Sequence, residues 1–313
     1  DYTPTISEEE RQARHRQRAE ARRRRKLERR RQMLFKAIPV AIIAAVAIGL
    51  LTAWGLYRQP SNTSLPEEPV PVPQSVQTVE PVPEPEPASY SVSATADTVQ
   101  LGDTVDSSYA VLIDEDSGTI LAEKDADTRI SPASMTKVLT LLVGAEHVAD
   151  QLDDTFTMTI DITDYCYINK CSVVGLMVGE TVPVRELLYG TILPSGADAA
   201  LGLAVYVSGS QEAFVELMNQ KLEELGISDT AHFTNCVGLY DENHYCTVTD
   251  MALILRAAME NDLCREVLNA RKYETVPTEY HPDGQILSNW FLRRIEDRFP
   301  GDFQIIGAKT GYV

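Results

Sequence analysis

The sequence predicts a mixed α/β domain held outside a membrane by a single transmembrane helix and a proline-rich stalk. Three observations carry this reading. A 20-residue run has no charge, a proline-dense stretch follows it, and strand patterns then bracket a region whose middle is helical. Hydrophobic residues make up 44% of the 313, enough for a real core and too many for a disordered chain.

Residues 1–36 hold 13 Lys/Arg against 6 Asp/Glu, a net of +7. The uncharged run Ala37–Leu56 follows. At ~1.5 Å per residue it spans roughly 30 Å, the thickness of a bilayer's hydrocarbon core. Trp54 and Tyr57 stand at its far end, where amphipathic rings favour the interface. The basic flank places the N terminus in the cytoplasm and everything after Tyr57 outside. A cleaved signal peptide fits less well, because its apolar core is usually ~7–15 residues long and ends at small residues. Residues 37–57 therefore read as a signal-anchor helix.

Residues 58–105 read as a linker. Pro60–Pro87 contains nine of the 17 prolines, interleaved with Glu and Val. Such sequence favours extended polyproline II, and at ~3.1 Å per residue it reaches roughly 85 Å. Residues 58–313 hold 15 basic and 40 acidic side chains, a net of -25. That balance argues against nucleic acid as a partner, since binding it requires neutralising phosphates.

The folded domain is expected over 106–313. Tyr109–Asp114 and Thr119–Glu123 read as a hairpin around Glu115-Asp116-Ser117-Gly118. Helical periodicity runs over about 133–148, 183–193, 197–208, 210–225 and 249–260. Leu187, Leu188, Thr191 and Ile192 form the apolar face of the second, and Phe214, Leu217, Leu222 and Leu225 that of the fourth. Phe303–Gly307 reads as a strand entering Ala308-Lys309-Thr310-Gly311.

The five cysteines have no C-x-x-C spacing and do not suggest zinc. Outside the cytoplasm, Cys166–Cys171 and Cys236–Cys246 are candidate disulfides with Cys264 left over; buried free thiols are the equal alternative. His147, His232, His244 and His281 read as structural, since none sits in a strained elbow with a serine. Trp290 and Phe291 are expected in the core rather than at the edge of a groove.

Chemistry concentrates in Ser131-Pro132-Ala133-Ser134-Met135-Thr136-Lys137. Pro132 suits a helix opening, which puts Ser134 in the first turn and Lys137 on the same face. A serine hydroxyl needs a base, and a lysine serves once burial or a neighbouring cation lowers its pKa. Alone, S-x-x-K arises about once by chance in a chain this long. Two companions sharpen the signal. Ser195-Gly196-Ala197 lies 61 residues after Ser134, and Lys309-Thr310-Gly311 lies 114 residues after Ser195.

With their surroundings (PASMTK, GETVPVRELLYGTILPSGADAA, HFTNCVGLYDENHY, GAKTGY), these motifs resemble the D-alanyl-D-alanine carboxypeptidases, the low-molecular-mass penicillin-binding proteins. The resemblance covers about residues 107–313. It implies a β-lactamase/D,D-peptidase-like transpeptidase fold, an antiparallel sheet plus a helical subdomain. It further implies that Ser134 forms an acyl-enzyme, Lys137 takes its proton, and Ser195 relays a proton to the leaving D-alanine. Lys309 would bind the terminal carboxylate, Thr310 and Gly311 would line the substrate, and the N–H groups of Ser134 and Tyr312 would form the oxyanion hole. The implied substrate is the D-Ala-D-Ala terminus of a peptidoglycan stem peptide at the bacterial cell membrane, with β-lactams as covalent inhibitors and neither metal nor organic cofactor.

Two departures stand out. Ala197 occupies a position where the family usually has Asn, removing an amide donor. In the family the Lys-Thr-Gly strand continues into two more strands, so the domain is expected to be incomplete after Val313. Rival readings are a non-catalytic wall-binding scaffold, a D,D-endopeptidase and a β-lactamase-like hydrolase. The last fits poorly, since Arg265 stands four residues before Asn269, where a deacylating Glu is needed.

Overall fold

The computed structural model describes residues 91–295 and 304–312. The basic segment, the expected membrane helix and the proline-rich stretch lie outside the described residues. Among the described residues no helix is long and apolar enough to cross a membrane.

The chain opens with β1 (Ser93–Gln100), β2 (Ala110–Asp114) and β3 (Thr119–Lys124), which form a sheet in the order β1-β3-β2. The expected hairpin is β2–β3, closed by Asp114 Oδ1, which accepts from Ser117 N and Oγ at 2.8 Å each. Gly118, at φ +66°, completes the turn. β1 corrects two expectations. It lies inside the segment read as linker, and it pairs parallel with β3, so the sheet is mixed rather than antiparallel. β1 and β2 flank β3 and run opposite ways, which lets the loop 101–109 join them at one end. β1 is almost wholly exposed and so lacks the apolar alternation that marks a half-buried strand.

The middle of the chain is helical: α1 (Lys137–Val148), α2 (Ile160–Ile168), α3 (Val184–Ile192), α4 (Ala197–Ser208), α5 (Gln211–Glu224), α6 (Val248–Glu260) and α7 (Asp262–Asn269). α1 is apolar nearly all round, so it is buried at the centre and packs on α3, α4 and α6. Leu187, Leu188, Thr191 and Ile192 are buried as their spacing requires; so are Phe214, Leu222 and Leu225, while Leu217 is half-buried. Ser210 caps α5 through Ala213 N, and Thr247 with Asp250 forms a capping box on α6.

The sequence reading missed α2 and α7. α2 (IDITDYCYI) is rich in β-branched and aromatic residues of low helix propensity and is held by buried Ile162 and Cys166. Two short pairs complete the layout: β4 (Thr155–Thr157) with β5 (Thr181–Pro183), and β6 (Lys272–Glu274) with β7 (Ile286–Ser288). A single turn, α8 (Leu292–Ile295), follows. Residues 304–312 are not a strand, contrary to expectation. A strand is defined by its ladder, and the described residues offer this segment only isolated side-chain contacts, such as Asn289 Nδ2 to Ala308 O at 3.5 Å.

All five cysteines are free thiols, so neither Cys166–Cys171 nor Cys236–Cys246 is bridged. Cys236 instead donates to Gln211 Oε1 at 3.5 Å, and Cys246 is buried in the core.

Candidate active site

Ser134 sits in a 3-10 turn, Ala133–Thr136, that runs into α1. Ala133 adopts φ +47°, a left-handed conformation unusual for a residue with a Cβ. Against it lies Gly238, at φ +85°, where a Cβ would fall 1.8 Å from Ala133 O. The Asn235 side chain builds that turn, its Oδ1 accepting from the N–H groups of Val237, Gly238 and Leu239.

Lys137 begins α1 and is buried. Its ammonium donates to Ser134 Oγ at 3.1 Å and to Val237 O at 2.7 Å. Burial drives its pKa down to about 8, while the negative charges of nearby thiolate positions and of Asp198 act the other way. A base is thus within reach of the hydroxyl, aimed by a backbone carbonyl from the 233–239 segment.

Ser195 lies between α3 and α4 at φ +61°, a strained turn that lifts its hydroxyl out of the helix pair. Lys309 donates to Ser195 Oγ at 2.9 Å and to Thr310 O at 2.7 Å. Burial, then the charge of Lys137, lowers the Lys309 pKa to about 7. Gly311 passes close to the nucleophile turn: a Cβ there would stand 3.0 Å from Met135 Cγ and 3.3 Å from Pro132 O.

Ser134, Ser195, Thr310, Gly311 and Tyr312 line one cavity of about 660 Å³ together with Ser172 and Val173, and the exposed Trp290 and Arg294 stand at its rim. All the motif residues singled out in the sequence therefore meet at one place. Trp290 is a correction: it is 58% exposed at the rim rather than packed in the core. Phe291, half-buried, is the neighbour that turns inward.

Asp198, next to Ala197, is expected from helix geometry to point elsewhere, and the sequence assigns it no role. It is buried, and its carboxylate accepts from the N–H groups of Val174, Gly175 and Leu176 at 2.8, 2.9 and 3.1 Å. Ala197 N donates to Ser172 O at 2.7 Å. The start of α4 thereby holds the segment 172–176, whose first two residues line the cavity, by four hydrogen bonds made directly beside the position where an Asn amide is absent. Farther along the loop, buried Glu180 accepts from Met177 N, Thr278 Oγ1 and His281 Nδ1.

His147 and His232 bond backbone carbonyls, and His244 bonds Thr136 and Thr234. Among the described residues no group of three or more His, Cys, Asp or Glu converges as metal ligands do. The arrangement is that of a serine nucleophile with a lysine base, a second lysine–serine pair opposite, and room for a peptide terminus between them.

A family model described as D-alanyl-D-alanine carboxypeptidase matches residues 93–313. The chain is 32% identical over 206 residues to the D-alanyl-D-alanine carboxypeptidase DacF of Bacillus subtilis, covering 65% of this chain and 50% of that protein. It is 38% identical over 215 residues to DacA of Escherichia coli K12, covering 67% and 50%. It therefore spans about half the length of these curated relatives. A serine-to-alanine mutant of the Streptomyces K15 DD-transpeptidase superposes with a TM-score of 0.60 at 31% identity, covering 66% of this chain and 80% of that one. A D-alanyl-D-alanine carboxypeptidase from Mycobacterium tuberculosis gives 0.57 at 31%, covering 66% and 73%.

Proposed function

The chain belongs to the D-alanyl-D-alanine carboxypeptidase family, and from that premise we propose that it is a serine peptidase removing the terminal D-alanine from peptidoglycan stem peptides. The observation that carries the proposal is the contact between Lys137 Nζ and Ser134 Oγ in a cavity also lined by Ser195, to which Lys309 is hydrogen-bonded.

In the mechanism we infer, Lys309 receives the terminal carboxylate of the peptide, which brings the last peptide bond over Ser134. Neutral Lys137 takes the hydroxyl proton as the oxygen attacks the carbonyl carbon. The Ser134 and Tyr312 N–H groups stabilise the oxyanion. The proton passes through Ser195 to the departing amine, D-alanine leaves, and water then hydrolyses the ester on Ser134. No step calls for a metal or an organic cofactor. Asp198 supports this reading in spite of Ala197, because it holds the wall of the cavity from the same turn. β-Lactams would enter the same path and stop at the acyl-enzyme.

The uncharged run 37–56 and its basic flank support attachment to the cell membrane, with the domain facing the wall.

Intact mass after benzylpenicillin tests the proposal. One penicilloyl adduct, lost in Ser134→Ala together with D-alanine release from a pentapeptide, is the expected result. A folded protein that takes no adduct and binds muropeptides unchanged by Ser134→Ala would instead be a wall-binding scaffold.

A further inference from the structure

The cavity carries one cation that the mechanism leaves unused. Arg294 lines its rim, and its guanidinium sits 5.6 Å from the centre of the Trp290 ring. Trp290 stands in the turn that leads into α8 and Arg294 in α8 itself, so the two side chains meet where the chain enters the helix. That turn is fixed from below. Buried Asn289 Oδ1 accepts from Phe291 N and Leu292 N at 3.1 Å, and its Nδ2 reaches Ala308 O beside Lys309.

Charge distinguishes the place. The chain beyond residue 57 has a net charge of -25, yet none of the described residues lining this cavity is acidic. Arg294 makes no ion pair with another of the described residues. A cation left open beside an aromatic ring, lining a cavity whose two serines each hold a lysine, attracts anions. Lys309 serves one carboxylate, that of the terminal residue. Arg294 lines the same cavity and is open to a second anionic group.

We propose that Trp290 and Arg294 form a subsite for a second carboxylate of the substrate, carried on a side branch upstream of the scissile bond. The indole would cover the aliphatic part of the branch, and the planar guanidinium would take the carboxylate through paired N–H donors. The substrate class is then a stem peptide whose third residue is a diamino acid with a free side-chain carboxylate, in preference to one ending in an amine. This rests on the hydrolytic reading above.

The test compares D-alanine release by the full-length protein from two soluble pentapeptides. They differ only at the third residue, meso-diaminopimelate in one and lysine in the other. The native protein should favour the first in kcat/KM by about tenfold or more, the range of a charge-assisted hydrogen bond. Arg294→Gln should lower that ratio to below about threefold, and Arg294→Lys should recover part of it. Equal use of both peptides by the native protein, or an unchanged ratio in Arg294→Gln, overturns the subsite and leaves the hydrolytic reading standing. Release from neither peptide overturns the hydrolytic reading and the subsite with it.

Discussion

The Lys309 ammonium donates to the Ser195 hydroxyl at 2.9 Å, across 114 residues of chain. With Lys137 on Ser134, this gives two lysine–serine pairs facing one cavity. The roles proposed for them demand opposite ionisation states. Lys137 must be neutral to take a proton, and Lys309 must be charged to hold a carboxylate.

The pH dependence of acylation follows from that opposition. Lys137, lowered to about 8, becomes a competent base as pH rises, while Lys309, lowered to about 7, loses its charge. The second-order rate constant for benzylpenicillin should peak between about pH 7 and 8 and fall on both sides. Lys309→Met should slow acylation and remove the alkaline limb. A native profile flat from pH 6 to 9 would contradict both assignments.

Asp198→Asn should separate structural support from electrostatics. Both carboxylate oxygens accept, Oδ1 from Val174 N and Oδ2 from Gly175 N and Leu176 N. An amide turns one of these acceptors into a donor facing an N–H group, so the 172–176 segment loosens and kcat/KM should drop by roughly tenfold or more. Asp198 also raises the Lys137 pKa through its charge. The acid limb of acylation should therefore move to lower pH in the variant. Loss of rate with no shift of the limb would leave Asp198 a purely structural residue.

Gly238→Ala should be severe. The new Cβ would meet Ala133 O at 1.8 Å, and the residue would have to keep φ +85°. Backbone faces backbone here, so no side chain can swing aside. A loss of at least ~2 kcal/mol in unfolding free energy, with acylation abolished, is expected. Denaturation and penicillin labelling of the same preparation would check it.

His244 makes stability depend on pH. Burial lowers its pKa to about 4, with its Nδ1 accepting from Thr234 N at 3.0 Å. The unfolded chain binds the proton near the ordinary value of about 6.5. Stability from the neutral imidazole is thus complete above about pH 6.5 and declines as pH falls toward 4, by roughly 2 kcal/mol at pH 5. Denaturant unfolding at pH 7.5 and 5 should show this loss, and His244→Gln should reduce it.

The thiols should separate by reactivity. Lys170, at φ +53°, closes α2 so that Cys171 N bonds Cys166 O at 2.9 Å, a helix end that brings the two side chains together. A hydrogen bond from Cys166 lowers the half-exposed Cys171 thiol, whereas burial raises Cys236 and Cys264 to about 12. Iodoacetamide at pH 7.5 should modify Cys171 first. Peptide mapping that finds Cys236 or Cys264 labelled earlier would refute the ordering.

The sequence alone determined what periodicity and spacing encode. The β2–β3 hairpin, the buried faces of α3 and α5, and the placing of Lys137 one turn after Ser134 all follow from local pattern. The motif order identified which distant serine and lysine would join them. Tertiary structure decided what no local signal carries. β1 is a strand because β3 offers it a ladder, and α2 is a helix because Ile162 and Cys166 have a core to enter. Lys137 is aimed by Val237 O, 100 residues away. Asp198 faces the cavity wall because residues 172–176 fold across the start of α4. Trp290 is turned outward because Asn289 spends its hydrogen bonds on the next turn. Such contacts depend on which surfaces meet, and chain order by itself does not specify that.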